Sequence, residues 1–250
     1  MKKLMAGNWK MYKTAEEAGA TMRELCGQVS GKLGDDREIL IFPPFTALSA
    51  VREALGGHDG CSMGGQDFYP AQEGAFTGEI APGMLINAGC LYGLTGHSER
   101  RHVLGETDEF VGQKTAFGLQ AGLNIILCIG ELLEEREAGR VEAVLSEQLE
   151  KGLADVAKDI SPDRLCVAYE PVWAIGTGKV AGPEEIVEAH AFVREKLTSL
   201  LTEGAGIRIL YGGSVKPGNA SQILGLDNVN GVLVGGASLT AESFSQIVLA

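Results

Sequence analysis

Several features that would place this chain in other classes of protein are absent from its sequence. Its formal net charge of -12 over 250 residues argues against the basic surface that nucleic acids and anionic membranes require. No apolar run has the length of a membrane-spanning helix, and the apolar stretch after Lys2 and Lys3 is too short for a secretory leader. We therefore expect a cytoplasmic protein that binds neither nucleic acid nor membrane.

Paired cysteines and the common cofactor motifs are also missing. The five cysteines are odd in number and show no C-x-x-C spacing, so we expect reduced thiols. No H-E-x-x-H or other metal-ligand spacing occurs, and G-x-G-x-x-G is absent. The run Gly176–Lys179 is similar to a phosphate loop but lacks that motif's upstream glycine and its Gly-Lys-Ser/Thr ending. The sequence predicts no metal and no cofactor.

What is present is a regular alternation of short apolar runs with longer amphipathic segments. Several runs are continuously apolar, which is typical of parallel strands covered by helices. Alternation at about 30-residue intervals predicts eight strands and eight helices in one (β/α)8 barrel domain over residues 1–250, with an open doubly wound sheet as the alternative. The predicted strands are Leu4–Trp9, Glu38–Phe42, Cys61–Gly65, Leu91–Thr95, Asn124–Ile129, Leu165–Tyr169, Ile207–Tyr211 and Gly231–Val234, and the clearest predicted helices are Thr14–Val29, Glu131–Val156 and Pro183–Leu201.

One carboxylate follows a predicted strand and precedes a proline. Pro171 disfavours helical dihedrals at Glu170, so this carboxylate should lie at the strand end. The next residues are apolar and rich in glycine, which is typical of a mobile cover that shields a general base from water. The segment is therefore a candidate catalytic site.

Other strand ends carry groups that suit the same chemistry, because active residues of a barrel collect at the C-terminal ends of its strands. Lys10 follows the first strand and His97 the fourth, while glycine turns after the last two strands offer backbone N–H groups to an anion. Together they suit proton abstraction next to the carbonyl of a small phosphorylated substrate. Taken singly, Lys10 could be a surface lysine, His97 a structural histidine, and Glu99 and Arg100 an ion pair.

The long connection from Gln66 to Gly78 has no periodicity. It carries Phe68, Tyr69 and Phe76, which we expect to be exposed and to dock against a partner.

The chain resembles the triosephosphate isomerase family over nearly its whole length. The matching segments are Asn8–Met11, Gly74–Glu79, Gly96–Arg101, Cys128–Glu131, Tyr169–Lys179, Tyr211–Val215 and Leu233–Ser238. The resemblance implies a cofactor-independent enzyme of glycolysis and gluconeogenesis. Such an enzyme interconverts dihydroxyacetone phosphate and D-glyceraldehyde 3-phosphate through an enediolate.

The resemblance also implies roles for particular residues. Glu170 moves the proton, His97 polarises the carbonyl as a neutral imidazole, Lys10 and Asn8 assist, and Glu99 orients Lys10. The implied phosphate-binding residues are Gly176, Ser214, Gly235 and Gly236. The implied lid comprises Pro171, Val172, Trp173, Ala174, Ile175, Gly176, Thr177, Gly178 and Lys179, with Tyr211 and Ser214 as its latch. The family is homodimeric, which implies that Thr77 reaches the active site of the other subunit, near Met11.

Four positions depart from the family pattern: Tyr12, Asp67, Gly93 and Thr95. None is catalytic, so they bear on stability and dimer strength. Two other functions stay open on the residues alone. One is a phosphosugar aldolase, which needs a Schiff-base lysine, but the sixth strand ends in Glu170 instead. The other is a catalytically silent binding protein, which would not need the intact catalytic set.

Overall fold

The computed structural model describes residues 1–175 and 181–250, and its eight parallel strands close into a barrel. Neighbouring strands follow chain order, and the first pairs with the last in parallel. The (β/α)8 prediction is therefore confirmed, and every predicted strand agrees with the structure to within one residue at each end. The strands are β1 Lys3–Asn8, β2 Arg37–Phe42, β3 Cys61–Gly65, β4 Tyr92–Thr95, β5 Asn124–Ile129, β6 Leu165–Tyr169, β7 Arg208–Tyr211 and β8 Gly231–Val234.

Strand side chains divide between two apolar clusters, as the alternation of a pleated strand requires. One cluster fills the inside of the barrel, and the other lies between the strands and the helices. On β1, for example, Leu4 and Ala6 belong to the inner cluster, whereas Met5 packs outward. The inner cluster consists of Leu4, Ala6, Leu40, Phe42, Tyr92, Leu94, Ile126, Cys128, Cys166, Ala168, Leu210 and Leu233.

The described residues contain ten α-helices rather than the eight expected. The first helix begins with a capping box, in which the Thr14 hydroxyl accepts from the backbone of Glu17 and the Glu17 carboxylate accepts from that of Thr14. The helices are α1 Ala15–Val29, α2 Leu48–Leu55, α3 Pro82–Ala88, α4 Ser98–His102, α5 Asp108–Ala121, α6 Leu133–Glu137, α7 Val141–Gly152, α8 Pro183–Leu200, α9 Pro217–Leu224 and α10 Ala241–Val248.

A single helix over Glu131–Val156 is the wrong prediction. The segment forms α6 and α7, separated by Gly139, whose φ of 66° lies in the left-handed region that ends a helix. Charge periodicity continues across this break, so it did not reveal the turn.

The long loop after β3 is only partly exposed. Phe76 is exposed and stacks on Tyr69 with ring centroids 4.2 Å apart, but Phe68 is buried, contrary to expectation. A Cβ at Gly93 or at Gly118 would lie 2.7 Å from the Phe68 ring, so these two glycines make room for it. The departure at Gly93 is therefore a packing feature.

No helix among residues 1–175 and 181–250 is long and apolar enough to cross a membrane.

Candidate active site

A cleft of about 320 Å³ opens at the C-terminal ends of the strands. Residues from several strand ends meet here, as the sequence predicts for a barrel. The predicted site residues that line it are Asn8, Lys10, His97, Glu170, Ile175, Ser214, Gly235 and Gly236.

Glu170 and His97 face each other in this cleft, and both are almost completely buried. His97 Nε2 lies 3.3 Å from Glu170 Oε1. The backbone N–H of Glu99 donates to His97 Nδ1 over 3.2 Å, so Nδ1 is an acceptor. In the neutral imidazole the proton is therefore on Nε2, which points towards the carboxylate and the cleft.

The backbone around Glu170 fixes its carboxylate. The N–H of Ser98 donates to Glu170 Oε2 over 3.1 Å. A Cβ at Gly212 would lie 2.7 Å from Glu170 Cγ, and one at Gly130 would lie 1.7 Å from the Glu170 carbonyl oxygen. Gly130 follows β5 and Gly212 follows β7, and only glycine at these positions lets the backbone approach Glu170 this closely. Burial, helped by the nearby Glu170 charge, raises the pKa of the Cys128 thiol.

Lys10 provides a positive charge at the mouth of the cleft. Its Nζ donates to Glu99 Oε1 over 2.5 Å, and its backbone N–H donates to Asn8 Oδ1 over 2.9 Å. Its φ of 51° is uncommon for a residue with a side chain and costs about 1–3 kcal/mol. The Gln66 amide donates to the Lys10 carbonyl over 2.8 Å and to that of Phe42 over 2.9 Å, which stabilises this turn.

The opposite wall of the cleft is formed by glycine-rich backbone. Ser214 follows β7, and Gly235 and Gly236 follow β8. A Cβ at Gly235 would lie 3.4 Å from Lys10 Cε, so the lysine stem runs along this wall. An anion bound there would have backbone N–H groups and an ammonium group within reach.

The segment after Glu170 begins with a single 3-10 turn over Val172–Ala174, preceded by Pro171 and followed by Ile175. Glu131 is the acceptor at its base. Its Oε1 receives Trp173 Nε1–H over 2.8 Å, the Tyr169 hydroxyl over 3.1 Å and Arg136 Nη1–H over 3.2 Å. The predicted lid residues Gly176, Thr177, Gly178 and Lys179 lie outside the described residues.

The predicted latch residue Tyr211 is buried at the end of β7. Burial raises the pKa of the Tyr211 phenol to about 12, and the nearby backbone of Ala181 opposes the rise. The hydroxyl therefore lies close to the backbone of Ala181. It also lies so close to Gly213 that a Cβ there would be 2.2 Å from the hydroxyl oxygen.

Arg100 does not pair with Glu99, which corrects one alternative drawn from the sequence. Glu99 pairs with Lys10, whereas Arg100 pairs with Asp67 over 2.9 Å and with Glu106 over 2.6 Å. Lys114 completes this second group by contacting both Asp67 and Glu106. We call Lys10, His97, Glu99 and Glu170 the open cluster, and Asp67, Arg100, Glu106 and Lys114 the sealed cluster.

Comparison with known proteins identifies the family of the chain. A model of the triosephosphate isomerase family matches residues 3–250. The chain belongs to the triosephosphate isomerase family. It is 65% identical over 251 aligned positions to the triosephosphate isomerase of Nitratidesulfovibrio vulgaris strain DP4, with 100% of each chain covered. It is 51% identical to that of Lawsonia intracellularis strain PHE/MN1-00, covering 99% of this chain and 98% of the relative.

A solved structure is similar in fold as well. The crystal structure of triosephosphate isomerase from Bartonella henselae matches with a TM-score of 0.88 and 42% identity, covering 99% of this chain and 98% of that one.

Sequence reasoning assigned no role to several residues of this candidate site. Ser98 acts through its backbone, and Gly130 and Gly212 act by lacking a side chain, so residue type gave no chemical signal. Glu131 was recognised at the end of the fifth strand but was predicted to begin a helix, and no role was assigned to its carboxylate. Lys114 in the sealed cluster lies mid-helix on α5 and gave no signal.

Proposed function

We propose that the protein catalyses the reversible interconversion of dihydroxyacetone phosphate and D-glyceraldehyde 3-phosphate, without a cofactor, as an enzyme of glycolysis and gluconeogenesis. The observation that carries the proposal is the pairing of Glu170 and His97 across 3.3 Å in a cleft that also contains Lys10. Family membership supports the same activity.

In the proposed mechanism, Glu170 removes a proton from one carbon beside the carbonyl and returns it to the other. The His97 Nε2–H that now faces Glu170 would turn to the substrate carbonyl oxygen and polarise it. Because Nδ1 already accepts from Glu99 N–H, the ring is fixed in the tautomer that donates from Nε2. Lys10, aligned by Glu99 and supported by Asn8, would stabilise the negative charge that develops on that oxygen.

The substrate phosphate is proposed to bind the glycine-rich wall at Ser214, Gly235 and Gly236, together with Gly176 of the lid. A closed lid would keep water away from the enediolate, which would otherwise lose phosphate. Ile175 lines the cleft and could supply part of that apolar cover. Tyr211 would hold the lid shut through backbone near Ala181.

We further propose a cytoplasmic homodimer, each subunit a single barrel domain, in which Thr77 reaches the partner's site. Thr77 is exposed, as are Phe76 beside it and Met11, which is 94% exposed. Exposed apolar side chains in two neighbouring segments are typical of a protein interface. Sedimentation at micromolar concentration should give twice the chain mass of 26.3 kDa, and a species of that single mass alone would contradict the dimer.

Two alternatives predict different results. An aldolase needs a Schiff-base lysine, so borohydride would trap substrate on the protein. A silent binding protein would not turn substrate over. Neither alternative explains a carboxylate held beside an imidazole in the cleft.

The deciding experiment is turnover in a coupled assay. Glu170→Gln is expected to lower kcat by about 10³-fold or more while the protein stays folded. Glu38→Gln is the matched control, because Glu38 lies at the start of β2, at the opposite end of the barrel. Equal rates for Glu170→Gln and the wild type would overturn the proposal.

A further inference from the structure

Two thiols meet at the end of the barrel opposite the cleft. Cys26 lies near the end of α1, and Cys61 is the first residue of β3. Their side chains lie close enough for each thiol to perturb the other, and both cysteines are free. Because the strands run from this end towards the active site, the thiol pair is separated from Glu170 by the length of the barrel.

The pair borders a cavity that a small molecule can enter. Both sulfur-bearing side chains line a space of about 390 Å³, where Cys61 is partly exposed and Cys26 forms the deeper wall. Lys2, Arg37 and His58 line the same cavity, together with Asp35 and Asp59. The cavity is therefore polar, and a small polar oxidant can enter it.

Contact between the two thiols shifts their pKa values in opposite directions. It lowers the pKa of Cys26, whereas the same contact and burial raise the pKa of Cys61. A lowered pKa makes a thiol easier to convert to the reactive thiolate. Cys26 is the only one of the five cysteines with a lowered pKa, because burial raises the pKa of Cys90 to about 12, that of Cys166 to about 11 and that of Cys128 as well.

A metal site is not what this cavity offers. Within residues 1–175 and 181–250 there is no group of three or more His, Cys, Asp and Glu side chains that could hold a metal ion.

We propose that Cys26 and Cys61 form an oxidisable dithiol that closes to an intramolecular disulfide when a peroxide enters this cavity. The thiolate of the pair attacks one peroxide oxygen, so that an S–O bond forms, the O–O bond breaks and hydroxide leaves. The second sulfur then displaces the hydroxyl group and the S–S bond forms. In total, two thiols and one hydrogen peroxide give one disulfide and two waters, so the peroxide gains the two electrons that the sulfurs lose.

The test treats the fully reduced protein with stoichiometric hydrogen peroxide, followed by thiol counting, intact mass and peptide mapping. We expect two of the five thiols to be lost, with a mass decrease of two hydrogens and a single linkage between the peptides of Cys26 and Cys61 that dithiothreitol reverses. Cys61→Ser should abolish the linkage, and Cys90→Ser should retain it.

Three outcomes would overturn the proposal. They are survival of all five thiols, a disulfide that involves another cysteine, and oxidation of Cys26 or Cys61 to oxygen acids without a linkage. Turnover of the wild type should survive the oxidation, since the pair lies at the far end of the barrel.

Discussion

Helix α4 contributes to both the open cluster and the sealed cluster, which contain similar groups in different surroundings. Each has two carboxylates and two basic or imidazole groups, and adjacent residues of α4, Glu99 and Arg100, belong to one each. In the sealed cluster the Lys114 ammonium is only 1% exposed and contacts two carboxylates. In the open cluster, Glu170 and the Nε2 face of His97 border a cleft.

We interpret the difference as one between a structural ion network and the proposed catalytic one. In the sealed cluster each basic group is engaged by carboxylates of the same cluster, so its contribution is to the stability of the fold. In the open cluster the groups are held in place by backbone, such as the N–H groups of Ser98 and Glu99, and they keep one side turned to the cleft. Substitutions in the two clusters should therefore affect different measurements.

The largest expected effect on stability comes from Lys114→Met. Removing this ammonium leaves the Asp67 and Glu106 carboxylates buried with Arg100 alone, which should lower the free energy of unfolding by about 3–5 kcal/mol. Turnover per folded molecule should be retained. Urea unfolding and a coupled assay on the same sample measure both quantities.

Asp67→Asn is the matched control within the sealed cluster. Burial raises the pKa of Asp67 more than Lys114 and Arg100 lower it, so its charge adds little net stability. The free energy of unfolding should therefore fall less than in Lys114→Met, because Arg100 and Lys114 both keep Glu106 as a partner. A normal free energy of unfolding in Lys114→Met, or a larger loss in Asp67→Asn, would contradict the distinction.

In the open cluster, His97→Gln should act on rate instead. Losing the aligned Nε2–H should lower kcat by about 10²–10³-fold, while the free energy of unfolding stays close to that of the wild type. Steady-state kinetics and urea unfolding of the purified variant provide the two values. A variant that keeps its kcat but unfolds more easily would make His97 a structural residue.

His190 is a buried titratable residue outside both clusters, and it should make the free energy of unfolding depend on pH. Burial lowers its pKa from 6.5 to about 4, with Arg194 adding to the effect. Between these values the unfolded chain binds a proton that the folded protein excludes. The stability present above pH 6.5 should therefore fall as pH drops towards 4, by about 3 kcal/mol in total.

Urea unfolding of His190→Gln across this pH range should show a shallower loss than the wild type. His58→Gln, at an exposed histidine, should behave like the wild type. Parallel losses in the wild type and His190→Gln would assign the pH dependence to other groups.

The sequence predicted the strands and the open cluster well, because both depend on local pattern. Apolar runs bounded by turn residues define the strands, and a barrel topology then brings Lys10, His97 and Glu170 together at one end. The sealed cluster was not predictable in this way, since Asp67 and Lys114 are 47 residues apart and only packing makes them neighbours. The burial of Phe68, in the loop after β3, likewise depends on the space that Gly93 of β4 leaves for its ring.

Transfer of solvent deuterium to the substrate tests the central claim most directly. The protein is incubated with dihydroxyacetone phosphate in deuterated water, and NMR measures deuterium on the carbon next to the carbonyl. The wild type and Glu106→Gln, which changes a buried carboxylate of the sealed cluster, should both introduce deuterium, whereas Glu170→Gln should not. Deuterium incorporation by Glu170→Gln at the wild-type rate would contradict the assignment of Glu170 as the base.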